Sequence, residues 1–94
     1  MCAIFGVIGE VDIGKAKSAF TTLTHRGPDN SSTIIEKNLF LGHHRLSIID
    51  LDKEASQPMR IGEVTLLFNG EIYNYQELGF ETHSDTKALL LAYL

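Results

Sequence analysis

What this chain has little of narrows its class before any motif is read. It carries one cysteine. A lone thiol cannot close an internal disulfide, so the small disulfide-stapled scaffold is excluded for the monomer. No cysteine pair and no His-x3-His spacing accompanies the four histidines, and no metal site is expected. Basic residues are the scarcer charge, eight against twelve acidic for a net charge of −4, and no Lys/Arg run offsets that balance. Neither nucleic acid nor an anionic membrane is therefore expected as the main partner. Apolar stretches are short. The run Met1 to Gly9 falls far below the roughly 20 residues of a bilayer span and lacks the cationic flank of a signal peptide. With no targeting segment in view, the cytoplasm is the expected compartment.

What is present is ordinary for a globular sequence: 44% hydrophobic and 21% charged residues, with a mean hydropathy of +0.01. The 94 residues suffice for one small domain, and a chain of this size buries only roughly 60% of its unfolded surface, so the core is thin. No repeat or linker divides it. The apolar start, closed by Gly9, predicts a strand buried on both faces. Helical spacing of Ile13, Ala16, Phe20 and Leu23 behind Asp12 predicts a capped helix from Ile13 to Leu23. Turn chemistry follows at Gly27-Pro28-Asp29-Asn30. Strands are then predicted from Ser31 to Glu36, Leu39 to Arg45 and Leu46 to Leu51, with Lys37-Asn38 turning the first hairpin. Asp52 to Pro58 reads as a loop, Glu63 to Phe68 as a strand and Glu71 to Tyr75 as a further one. A capped helix starts at Ser84 and runs to the last residue. Helices flanking a strand-rich middle give an α+β fold.

Cys2 draws attention by its position. If Met1 is removed, which a small second residue permits, the residue carries a thiol and an α-amino group that titrates near 7.7–8.0. Nucleophile and base then share one residue, the cysteine counterpart of the N-terminal threonine arrangement. The alternative is a small buried hydrophobe at a strand start. Arg45 offers a planar fork that fits a carboxylate, or a surface partner for a nearby acid. On a strand His43 and His44 point to opposite faces and cannot share a metal, so both read as structural. Asn69-Gly70 at a strand end supplies an amide and backbone N–H donors suited to an oxyanion, with Glu71 beside them as a site for an ammonium. It is equally the commonest hairpin dipeptide. Asp85 suits an ammonium or, next to Ser84, the first turn of a helix.

In order along the chain stand Met1-Cys2-Ala3-Ile4-Phe5-Gly6, His25-Arg26-Gly27-Pro28-Asp29, Leu41-Gly42-His43-His44-Arg45-Leu46-Ser47-Ile48-Ile49-Asp50, Gln57-Pro58-Met59, Asn69-Gly70-Glu71-Ile72-Tyr73-Asn74-Tyr75 and Ser84-Asp85-Thr86. In this order and almost end to end, the chain resembles the class II glutamine amidotransferases. The second and fifth of these motifs favour the glutaminase domain of the asparagine synthetase branch over the sugar-phosphate and purine-pathway branches. The resemblance implies an N-terminal-nucleophile hydrolase fold, antiparallel sheets between helical layers. It implies that Cys2, freed of Met1, attacks the side-chain amide of glutamine, releases ammonia and leaves a glutamyl thioester that water hydrolyses. Asn69 and the Gly70 N–H would hold the oxyanion. Arg45 would take the α-carboxylate, Glu71 and Asp85 the α-ammonium, and main-chain groups around Leu46, Ile48 and Ile49 would position the ligand. No cofactor is implied for this domain; ATP and Mg belong to the ATP-dependent synthetase domain that would be its partner.

The chain departs from the family in three respects. Ala3 stands where the family has glycine, which is costly wherever the backbone needs a positive φ or a close approach. Only Gln76 to His83 stand where the family has a helix and a turn. The family's glutaminase domain is about twice this length, and the synthetase domain is absent. An open half of a two-sheet sandwich exposes apolar faces and strand edges, so homo-oligomer formation or a larger parent protein is expected. The alternative function is a non-catalytic glutamine-binding or assembly module of the same family; an unrelated small α+β binding domain fits the ordered motifs poorly.

Overall fold

The apolar residues after Cys2 form strand β1 (Ala3–Ile8) in a computed structural model that describes residues 2–46 and 56–94. β1 joins β2 (Asn30–Glu36) and β3 (Leu39–Arg45) in an antiparallel sheet of order β1-β3-β2. The β2–β3 hairpin turns at Lys37-Asn38, as predicted. Asn38 takes the left-handed conformation, φ 65°, which asparagine tolerates because its side chain supports tight turns.

β1 is not buried on both faces. Ala3 is buried and Phe5 and Val7 are half-buried, whereas Ile4 is 45% and Ile8 83% exposed. The cause is helix α1 (Ile13–Thr21), which covers one side of the sheet. Its N-terminus is capped as expected, with Asp12 Oδ1 accepting from Lys15 N at 3.1 Å. It stops before Leu23, whose carbonyl instead accepts from Arg26 N at the 3-10 turn Thr24–Arg26. Phe20 from α1, Phe5 from β1 and Phe40 from β3 make the core, their ring centroids 5.8–6.1 Å apart in tilted and edge-on contacts. Gly42 lies under Phe20: a Cβ there would come within 2.6 Å of the ring.

A second antiparallel pair, β4 (Met59–Ile61) and β5 (Val64–Leu66), turns through Gly62 at φ 60°. The strand expected from Glu63 to Phe68 is thus shorter than predicted, and its partner Met59–Ile61 was not foreseen. The strand expected from Glu71 to Tyr75 does not form. That stretch turns, with Tyr75 N bonding to Ile72 O at 3.3 Å, and enters a 3-10 turn (Tyr75–Leu78) closed by Gly79 at φ 81°. Helix α2 (Asp85–Tyr93) then starts at Ser84, whose Oγ accepts from Lys87 N at 3.2 Å. Ala88 and Leu90 carry its buried side. Beyond Leu46, which is in no strand, the strand predicted from Leu46 to Leu51 lies outside the described residues, as does most of the loop from Asp52. Helices with antiparallel sheets make the fold α+β, and no described helix is long and apolar enough to cross a membrane.

Candidate active site

The two histidines separate as the strand period requires. His44 faces α1: its ring stacks on Phe20 at 3.8 Å, with Nε2 2.7 Å from the Phe20 carbonyl and Nδ1 2.6 Å from Ser31 Oγ. A carbonyl only accepts, so Nε2 carries the proton and Nδ1 accepts from the serine hydroxyl. His43 lies on the other face, opposite Ile4. It is 2% exposed, and among the described residues its Nε2 has no hydrogen-bond partner. Burial, then the positive charge of Arg45, then His44, lower its pKa to about 4.

Strand alternation carried one residue beyond β1 puts Cys2 on this same face, next to Arg45 across the ladder. Cys2 is half-buried and its thiol is free. It is fastened on both sides. Leu46 N donates to Sγ at 3.4 Å, and Arg26 Nε donates to the Cys2 carbonyl at 3.2 Å. Arg26 reaches it because the turn that follows is pressed onto the end of β3. Gly27 has no room for a side chain there, since a Cβ would lie 2.6 Å from Arg45 N. Asp29 N bonds to Arg45 O at 3.0 Å. Cys2, Arg26, Arg45 and Leu46 are thereby assembled at one end of the sheet from three separate stretches of chain. Ala3 is buried on the core face, and Asn38 is the only non-glycine residue with positive φ among those described. The Ala3 methyl group therefore costs no backbone strain.

Asn69, Gly70 and Glu71 form an exposed stretch after β5. The amides on either side are held by side chains. Phe68 N donates to Oε1 of Gln57, itself 7% exposed. Ile72 N donates to Asp85 Oδ2 at 2.9 Å, while Asp85 Oδ1 accepts from Thr86 N at 2.8 Å. Asp85 thus sits in the first turn of α2, where a carboxylate is favoured by the helix N-terminus, and its oxygens are engaged by backbone donors. Among the described residues Cys2 makes no hydrogen bond to Asn69, Gly70, Glu71 or Asp85; its sulfur bonds to Leu46. Ile48 and Ile49 lie outside the described residues. Sequence reasoning assigned no role to Arg26 or Gln57, although both stand inside recognised motifs. An apolar pocket of about 280 Å³, lined by residues including Leu66, Leu89, Leu90 and Tyr93, holds none of the predicted site residues. No group of three or more His, Cys, Asp or Glu side chains converges on a metal position among the described residues.

The family model described as a glutamine amidotransferase domain matches residues 1–94. Similar proteins include glutamine-hydrolyzing asparagine synthetase 1 of Bacillus subtilis, 34% identical over 111 positions covering 99% of this chain and 17% of the relative. Asparagine synthetase B of Escherichia coli is 39% identical over 108 positions, covering 99% and 19%. The asparagine synthetase of Zea mays is 36% identical over 107 positions, covering 99% and 18%. The chain therefore spans less than a fifth of the length of these relatives. The aligned stretches exceed the chain's own 94 residues, so the relatives hold residues that this chain does without. The chain belongs to the glutamine amidotransferase domain family.

Proposed function

We propose that the chain is a glutamine amidohydrolase module of N-terminal-nucleophile hydrolase type, supplying ammonia to an ATP-dependent synthetase domain for asparagine synthesis, a reading supported by relatives named glutamine-hydrolyzing asparagine synthetases. In the mechanism, Met1 is removed and the α-amino group of Cys2 takes the thiol proton. Sγ attacks the side-chain amide carbon of glutamine; the C–N bond breaks, the proton passes to the leaving nitrogen, and ammonia departs. Water then attacks the glutamyl thioester, giving glutamate and restoring the thiol. Asn69 and Gly70 N–H hold the oxyanion, where one such donor is worth about 3–4 kcal/mol in other enzymes. Arg45 takes the α-carboxylate, Glu71 and Asp85 the α-ammonium, and main-chain groups around Leu46, Ile48 and Ile49 position the substrate. One cationic fork and two carboxylates match an amino-acid zwitterion, and fixing both of its ends orients the amide for attack. The site uses no cofactor of its own; ATP and Mg act in the synthetase domain, and the cytoplasm is the compartment that fits.

The observation that supports this reading most directly is the double fastening of Cys2, by Leu46 at sulfur and Arg26 at the carbonyl, beside Arg45. A core-filling cysteine needs neither. The test is mass spectrometry of the N-terminus followed by glutamate release from glutamine, compared with Cys2→Ala. Met1 should be absent and the variant should fall to background. Equal glutamate release by the two proteins leaves the non-catalytic glutamine-binding or assembly module in its place.

A further inference from the structure

Oxyanion donors help only if they are fixed before the charge develops, because the cost of ordering them is then not met at the transition state. Here the candidate donors sit on an exposed stretch outside any strand, a placement that by itself gives no such fixity. The two flanking amides supply it. Phe68 N, immediately before Asn69, donates to the side-chain oxygen of Gln57. Ile72 N, immediately after Glu71, donates to Asp85 Oδ2. The three residues between them are suspended from two side chains rooted in different parts of the chain. Gln57 is buried just ahead of β4, and Asp85 opens α2. Asp85 is in turn held by Thr86 N, and the 3-10 turn beyond Ile72 packs on α2.

We infer that Gln57 and Asp85 are positioning residues that jointly hold the Asn69-Gly70-Glu71 stretch in place, Asp85 serving in addition to its proposed ammonium contact. The inference rests on the amidohydrolase reading for its kinetic consequence, but not for its structural one. Gln57 touches neither end of the substrate in that reading, so its loss acts on the chemical step. A ligand for the ammonium would instead act on binding.

The experiment uses amide hydrogen exchange by NMR on the 15N-labelled chain, together with glutaminase kinetics. In the unsubstituted protein the Phe68 and Ile72 amides should exchange at least tenfold more slowly than those of Asn69 and Gly70. Gln57→Met, which keeps the side chain's length but removes the acceptor, should abolish protection at Phe68 while the β1–β3 amides stay protected. It should lower kcat about tenfold or more with KM for glutamine little changed, and Gln57→Glu, which keeps an acceptor oxygen, should restore protection. Asp85→Ala should do the same at Ile72 and raise KM as well. Phe68 and Ile72 amides exchanging as fast as Asn69 and Gly70 in the unsubstituted protein overturn the inference. So does a Gln57→Met protein whose KM rises while kcat holds. If the unsubstituted protein releases no more glutamate than Cys2→Ala, the amidohydrolase reading fails and the exchange data alone judge the two clamps.

Discussion

His43 shows how much one buried side chain can couple to solution conditions. It is neutral in the fold because burial and the nearby Arg45 disfavour its charged form, with a pKa of about 4 against 6.5 for the free side chain. Between these values the unfolded chain binds the extra proton and the folded one does not. The contribution of His43 to stability is therefore fully present above about pH 6.5 and is lost as pH falls towards 4, at up to about 1.4 kcal/mol per pH unit. His43→Gln should flatten this part of the profile. Urea unfolding at pH 7, 5.5 and 4.5 checks it, and parallel losses in both proteins would count against the assignment. The sequence placed the two histidines on opposite faces correctly, since strand alternation is local. It could not show that His44 would find a carbonyl and a hydroxyl while His43 Nε2 would find neither.

At the scale of elements, caps and turns were legible and pairings less so. Asp12 and Ser84 cap the helices where the sequence put them, and Lys37-Asn38 turns the first hairpin. In each case the decisive bond spans a few residues. The burial of β1 differs from the expectation because every residue of an all-apolar run fits either face; α1 covers one side, and the alternation appears only then. Met59-Arg60-Ile61 is too short to signal a strand, and the apolar and aromatic residues of Glu71–Tyr75 suit a strand by pattern, whereas the Ile72 amide is taken by Asp85 at the start of α2 and Tyr73 stays 89% exposed. Packing of α1 on β3 depends on Gly42. Gly42→Ala should cost about 1–3 kcal/mol, because the methyl group meets the Phe20 ring and the aromatic core must shift. Gly14→Ala, whose methyl meets only ordinary contact with Asp12, should change stability by less than about 1 kcal/mol. Denaturant midpoints of the two variants measure the difference.

Among the described residues, one ion pair links the two sheets. The ion pair of Arg60 on β4 with Glu36 at the end of β2 spans 2.9 Å, but both side chains are about half exposed. Water and salt screen it. Arg60→Ala should cost less than about 1 kcal/mol and shift the midpoint of thermal unfolding little, a loss that shrinks further at high salt. The site follows the same division. Cys2, Arg26, Arg45 and Leu46 gather at the end of the three-stranded sheet, and Asn69 to Glu71 hang between β4 and α2. The chain spans less than a fifth of the relatives it matches, and one face of β1 presents Ile4 and Ile8 to solvent.

The sequence by itself determined the family, the α+β class and the candidate nucleophile, because ordered motifs, helix caps and turn residues are properties of neighbours along the chain. Only the tertiary structure decided which face of β1 is covered, and that Arg26 grips the Cys2 carbonyl from 24 residues away. It also decided that the amides bracketing Asn69 to Glu71 rest on Gln57 and Asp85, 11 and 13 residues distant. Those bonds join side chains to backbone groups whose proximity depends on how separate elements pack, and no spacing along the chain encodes it.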